Sequence, residues 1–379
     1  MNFNLKKIEK IDLFDPYIIV VMVILFVIIA MPMWYYYCKL PAPELNLFIY
    51  IGLGLIIFIL GIYFSKRYVP NISADDSQSG DLNKLALFDK YSKDELILTA
   101  IVSVGILLQI INILNLGGIP LFSASLKARA ASKIWLLSYI IFLPSINILL
   151  AKYNRNSHYI LLVLGLLLFA LTGYRTTPIA ILLSSFITLY YTREIKLEYQ
   201  ILFFILVIIV LLTIGFIAVQ AISWQHWTLK PMELISYRAA FTLNILSKAI
   251  ANQFATMGNL FYSTLTGFFT HTDPRVLVGQ ATLGQVHSIT STIFGPALLD
   301  FGLLGMMVQM FLLGLILKTL HVIQKNMKSI YTAFYGIILA QTIIWIETGP
   351  TDLVVWIFYL ISIFLIIYFI RFFKRESKS

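Results

Sequence analysis

Ten apolar runs, each about long enough to cross a bilayer, decide what this chain can become. They lie near 17–37, 46–64, 96–114, 134–151, 158–173, 177–192, 200–221, 293–317, 329–346 and 353–370 of the 379 residues. Crossing ~30 Å of hydrocarbon takes ~20 apolar residues in a helix, the segment that satisfies its own backbone polar groups. With 59% hydrophobic and only 12% charged residues, the chain has far more apolar surface than one soluble core could bury. The sequence predicts an all-α polytopic membrane protein of about ten transmembrane helices, with residues 1–379 forming a single membrane domain. The fifth and sixth runs are short and nearly continuous, so they read either as a tight hairpin around Gly173 and Pro178 or as a partly re-entrant pair. Lys6, Lys7 and Lys10 precede an apolar run too long for the core of a cleavable signal, and that run lacks a small-residue cleavage site. The one cysteine, Cys38, excludes an intramolecular disulfide.

Charge sets an orientation. With the N-terminus inside, ten spans return the C-terminus inside, and 19 of the 28 Lys and Arg then lie on the cytoplasmic side and nine outside. Both termini are expected in the cytoplasm, with the protein in the cell membrane, and the sequon at Asn71 falls inside. The largest cytoplasmic loop, 65–94, holds SADDSQSGDLNK and reads as a polar linker. No GxxxxGK, GxGxxG or DxD pattern is present, so no site for a nucleotide-sugar donor is expected. No cofactor, metal or nucleic-acid partner is expected either.

The outer face breaks the charge bias in clusters. NLGGIPLFSASLKARAASK (115–133) carries Lys127, Arg129 and Lys133, GYRTT carries Arg175, and the loop 222–292 carries Lys230, Arg238, Lys248 and Arg275. One such residue is explained by snorkelling to headgroups. Three separate segments point to a shared anionic ligand. Loop 222–292 forms an extracytoplasmic cap, with His226, His271 and His287 and the aromatics Trp224, Trp227, Phe268 and Phe269 near its membrane exits. Ile235, Ala239, Leu243, Leu246 and Ile250 repeat at helical spacing, which predicts an amphipathic helix lying on the membrane with Arg238 and Lys248 toward its polar side. GNLFYSTLTGFF (258–269) is a second such stretch, placed to pack beside the first.

A polyprenyl pyrophosphate that carries sugars fits these features. Guanidinium groups bind phosphate oxygens bidentately and stay charged in a partly dry cleft. As the anomeric bond breaks, charge grows on the departing oxygen, and fixed cations aimed there lower the barrier. A base is needed to take the proton of the acceptor hydroxyl. His271 and Asp273, in THTDPR beside Arg275, are the first candidates, and His287 is the next.

Three stretches resemble the Wzy-type polymerases of O-antigen and related surface polysaccharides, in the oligosaccharide repeat unit polymerase group. They are GGIPLFSASLKARAA (117–131), LTGYRTTPIAILL (171–183) and TSTIFGPALLDFGLLGMMVQMFLLGLILK (290–318), the last entering a span with the pattern G-P-x-L-x-D-F-G-x-x-G. The resemblance implies a C-type glycosyltransferase-like membrane fold. It also implies metal-independent joining of lipid-linked repeat units on the outer face, with a flippase and a chain-length regulator as pathway partners. It carries over Arg129, Arg175 and Arg238 as pyrophosphate or glycan contacts; Lys127, Arg275 and Asp300 join them as binding candidates. Some members place a glycine eleven residues after such an arginine, and this chain does not. Asp300 reads either as a helix cap or as a partner for an outer arginine. Gly302, Gly305 and Gly314 read as a small-residue face for helix approach. A ligase that moves a finished glycan would share this chemistry. A transporter or flippase is the rival from another class, but the middles of the spans hold no ionisable residue to couple it.

Overall fold

The structure is a computed structural model and describes residues 12–68, 92–153, 155–193, 231–270 and 272–376, with a few positions between 195 and 209. Among the described residues the helices are α1 (Ile18–Tyr35), α2 (Leu45–Tyr68), α3 (Lys93–Asn115), α4 (Ala124–Ala130), α5 (Lys133–Lys152), α6 (Asn156–Ala170) and α7 (Thr176–Thr192). After them come α8 (Pro231–Ala251), α9 (Asn259–Thr270), α10 (Pro274–Leu283), α11 (Gly295–Met327), α12 (Ile330–Thr348) and α13 (Leu353–Glu376). Nine of the ten apolar runs are helices; the seventh, 200–221, falls mostly outside the described residues, as does most of the 65–94 linker. Seven described helices are long and apolar enough to span a membrane, with α6 and α7 shorter, so the chain is a multi-pass helical membrane protein. The fifth and sixth runs form α6 and α7, joined by a turn in which Gly173 takes φ 75°.

The main packing pairs join α2 with α11, α3 with α5, and α12 with α7 and α5. At the α2–α11 crossing a Cβ on Gly314 would lie 2.2 Å from the Phe58 carbonyl oxygen, and one on Gly61 2.2 Å from that of Phe311. Missing side chains on both helices thus let the two backbones touch, the packing that suits a membrane interior. Gly302 does something else. It breaks α11 at φ 63°, ψ −159°, a conformation open essentially to glycine alone, and a Cβ there would meet the Phe254 ring at 2.3 Å. The segment 253–256 meets the backbone groups that the break leaves without helical partners. Phe254 N donates to Leu298 O (3.3 Å), Thr256 N to Leu299 O (3.1 Å), and Leu303 N to Gln253 Oε1 (3.1 Å).

The cap departs from expectation in how α8 and α9 pack. Helix α8 does not lie flat on the bundle: it packs along α1 and touches α11 and α2, burying Ala239, Ala240, Leu243, Leu246 and Ala249. Its Ser236 hydroxyl donates to the Ile29 carbonyl of α1 at 2.7 Å. Ile235, expected on the apolar face, is exposed, and Arg238 turns inward while Lys248 stays exposed. The second stretch, α9, packs against α10, α11 and α13.

Charged residues separate to the two ends of the bundle. The end opposite the cap ties residues 12–15 to α11: Lys318 Nζ reaches Asp15 at 2.5 Å, Lys325 Nζ reaches Asp12 at 2.8 Å, and His321 Nε2 lies 3.0 Å from Asp12. Asp12, Asp15 and His321 are grouped closely enough to hold a cation, but the two lysine ammonium groups already neutralise the two carboxylates. At this same end Arg155 pairs with Glu95 (2.8 Å) and Lys152 with Asp94 (3.2 Å).

Candidate active site

The cap end is organised by the stretch ETGPTD (347–352), which closes α12 and leads over four residues into α13. Gly349 at φ 74° ends α12 and Pro350 prevents its continuation, so Glu347 and Asp352 stand at facing helix ends. Each carboxylate holds arginine. Glu347 Oε1 accepts from Arg175 Nη2 (3.1 Å), at the N-terminus of α7, and from Arg238 Nε (2.8 Å), on α8. Arg238 Nη2 also donates to Thr290 Oγ1 at 3.2 Å. Asp352 takes Arg275 Nη2 on both oxygens, at 2.7 and 2.9 Å, while Arg275 Nε donates to Thr351 Oγ1 (3.2 Å). The side chains of Arg175 and Arg238 are 34% and 39% exposed, and each guanidinium carries more N–H groups than it gives to Glu347 and Thr290.

Lys127 belongs to the same field. Burial lowers its pKa, and the positive charges of Arg175 and Arg238 lower it further. Tyr174 joins the two halves of the site: its hydroxyl donates to the Lys127 carbonyl (3.0 Å), and its ring lines a cavity beside Arg275. Burial, together with the nearby Asp273 and Asp352, pushes the Tyr174 phenol up against the opposing pull of Arg275, so it stays a neutral donor. For Arg275, the Asp352 carboxylate is the main cause of a raised pKa, which fixes its charge.

The cavity measures about 380 Å3 and lies between α5, α7, α9, α12 and α13. Trp135 and Tyr139 are stacked 5.6 Å apart in its wall, with Thr176, Thr272, Asp273, Arg275 and Asp352 supplying polar groups. Aromatic planes beside hydroxyls and a carboxylate suit a sugar, whose C–H faces and O–H edges differ in the same way.

The structure thus brings Lys127, Arg175 and Arg238 into one field, with Arg275 and Asp273 across Tyr174 from them. Asp273 is the N-cap of α10, accepting the Arg275 amide at 2.9 Å, and its other oxygen is uncommitted among the described contacts. Arg129 is exposed in the last turn of α4 and joins neither carboxylate. His287 is exposed on the loop after α10, and His271 lies outside the described residues, as do His226, Trp224 and Trp227. Asp300 is not paired with arginine. It caps α9, accepting from Thr256 Oγ1 (2.6 Å), Leu260 N (3.1 Å) and Phe261 N (2.6 Å). Glu347 and Asp352 were visible in the sequence as two of few outer carboxylates, but nothing in the local pattern marked them as the points on which the arginines converge.

A family model described as "Putative O-antigen polymerase" matches residues 12–359, nearly the whole chain. An uncharacterized protein of Methanocaldococcus jannaschii, MJ0420, is 30% identical over 263 residues, 69% of this chain and 63% of its own length. A second from that organism, MJ0419, is 30% identical over 255 residues, 66% of this chain and 70% of its own. No solved structure matches. The apolar helices, the motifs at 117–131, 171–183 and 290–318 and the family match therefore coincide on one conclusion: the chain belongs to the O-antigen polymerase family.

Proposed function

We propose that the chain polymerises polyprenyl-pyrophosphate-linked oligosaccharide repeat units on the outer face of the cell membrane, building a surface polysaccharide. The observation that carries this reading is the convergence of Arg175 and Arg238, from helices distant in sequence, on the single Glu347 oxygen. A carboxylate between two guanidiniums offsets their repulsion and holds them side by side with free N–H groups, a preformed seat for a diphosphate. Lys127 adds a third charge to that seat. In the transfer, the bond from the donor's anomeric carbon to the pyrophosphate oxygen breaks and the polyprenyl pyrophosphate leaves. The acceptor hydroxyl oxygen bonds to that carbon, and its proton passes to a base. The acceptor sugar occupies the cavity of Trp135 and Tyr139, where Asp273 is the described carboxylate with a free oxygen; His271 and His287 are the other candidate bases. The donor is already activated, so the reading assigns no role to a nucleotide or a metal. It places the cap end outside, since 19 of 28 basic residues then lie within.

The test is incubation of the purified protein with a lipid-linked repeat unit. A ladder of products is expected; one-step transfer to a different acceptor makes the protein a ligase, and untouched substrate removes the assignment. Arg175→Ala and Arg238→Ala should each slow chain extension by about 100-fold with the protein still inserted. Normal polymer from both variants would take the diphosphate away from this site.

A further inference from the structure

Three helices begin in the wall of the 380 Å3 cavity: α7 with Thr176, α10 with Pro274 and α13 with Leu353. A helix start carries partial positive charge and amides that lack helical acceptors. Two of these starts have a carboxylate of their own. Asp273 stands before α10 and accepts the Arg275 amide at 2.9 Å, and Asp352 stands before α13 with Arg275 Nη2 on both oxygens. The start of α7 has none. Its N-cap is Arg175, whose side chain makes no cap and turns to Glu347 instead. Pro178 has no N–H, and the first amide to bond back is that of Ile179, on Arg175 O at 3.4 Å. Among the described contacts the amides of Thr176 and Thr177 therefore reach no acceptor.

The Thr177 side chain points to a ligand independently. Thr177 is only 5% exposed and lines the cavity, yet its hydroxyl has no partner among the described contacts. Threonines elsewhere in the bundle commit theirs to the carbonyl four residues back, as Thr192, Thr264 and Thr282 do at 2.8, 2.8 and 2.7 Å. A buried hydroxyl left without a partner is unfavourable, so the occupant of the cavity must supply the acceptor. Two amides and a hydroxyl suit the two oxygens of a carboxylate. A dianionic phosphate would call for a cation as well, and Arg275, the guanidinium of this wall, is committed to Asp352 and Thr351. The surroundings favour an anion, since Arg175, Arg238 and Lys127 gather beside the start of α7 with Glu347. The stacked Trp135 and Tyr139 in the same wall suit the sugar ring that bears the carboxylate. Resting on the polymerase reading, which makes this cavity the acceptor site, we infer that the acceptor is an acidic sugar, a hexuronate, whose carboxylate sits on the start of α7 and accepts from the Thr177 hydroxyl. That contact fixes the register of the ring, and with it which hydroxyl is presented for transfer.

The experiment uses the full chain in nanodiscs and saturation-transfer NMR. The probes are methyl glucuronide and methyl galacturonide, the methyl ester of each, and methyl N-acetylglucosaminide. At least one acid should bind about tenfold more tightly than its own ester, which keeps the shape and loses the charge. T177V, which also keeps the shape, should bring that acid to the affinity of its ester and leave the ester unchanged, and T177S should restore the preference. The comparison of acid with ester on the parental chain decides the matter even if T177V fails to fold. Absent or equal binding of both acids relative to their esters, tighter binding of the N-acetyl sugar, or a preference that survives T177V would overturn the inference. A product ladder from a lipid-linked repeat unit alongside such an outcome leaves the polymerase reading standing and removes only the acidic acceptor. Preference for an acid with that repeat unit untouched keeps the carboxylate seat and removes the polymerase reading.

Discussion

Lys127 is the cation at the site whose proton is least secure, because it sits half-buried beside two permanent positive charges. On the polymerase reading it must be protonated to hold a diphosphate, and its pKa is lowered. Its contribution is therefore present at neutral pH and lost as pH rises, earlier than for an ordinary lysine at ~10.4. The alkaline limb of kcat/KM should lie below that value, and Lys127→Arg, which cannot lose its proton, should carry the limb upward. Superimposable pH profiles for the two proteins would remove Lys127 from the site. Gly302 makes the second residue-scale prediction. Alanine there combines a forbidden φ with a clash against Phe254, so Gly302→Ala should cost about 1–3 kcal/mol, read as a lower thermal midpoint in detergent. An unchanged midpoint would mean that the break is not held as described. The sequence marked this glycine as a packing residue of a continuous helix. Hydropathy carries no sign of a break whose reason is the contact with residues 253–256.

At the scale of elements, the legible part was what a helix owes to its own residues. Nine of the ten apolar runs became helices among the described residues, with α11 running ten residues past its expected end, and the period of Leu243, Leu246 and their neighbours did produce α8. Its position was not legible, because an amphipathic face fits a membrane surface and a groove between helices equally well. The choice fell to α1, against which α8 packs and whose Ile29 carbonyl accepts the Ser236 hydroxyl. Asp300 shows the same division: its type and place implied a cap, but the helix it caps is α9, 40 residues earlier in the chain, rather than its own. Asp300→Asn keeps the shape but replaces one acceptor oxygen by a donor amide, stranding an N–H or hydroxyl of the cap. It should cost about 1–2 kcal/mol and speed amide exchange over 256–262. Exchange at the parental rate would show that α9 is ordered by packing alone.

For the whole molecule, the alternation of helices carries the functional reading, since it places every cluster in this account at one end or the other. A cysteine at position 129, in a background where Cys38 is replaced by serine, should react with an impermeant maleimide added to intact cells. Protection until the membrane is opened would invert the orientation. Multi-pass helical architecture follows from the sequence by itself, because the cost of apolar surface in water and of open backbone in lipid is settled within each segment. That several cations must face one side follows too, because charge bias is a sum over loops. Which of them meet was decided only by tertiary structure. Arg238 and Glu347 are 109 residues apart and Arg175 and Glu347 are 172 apart, and their contact depends on the start of α7, the body of α8 and the end of α12 meeting at one point. Such a meeting is a property of how helices pack, and no local pattern of residues encodes it.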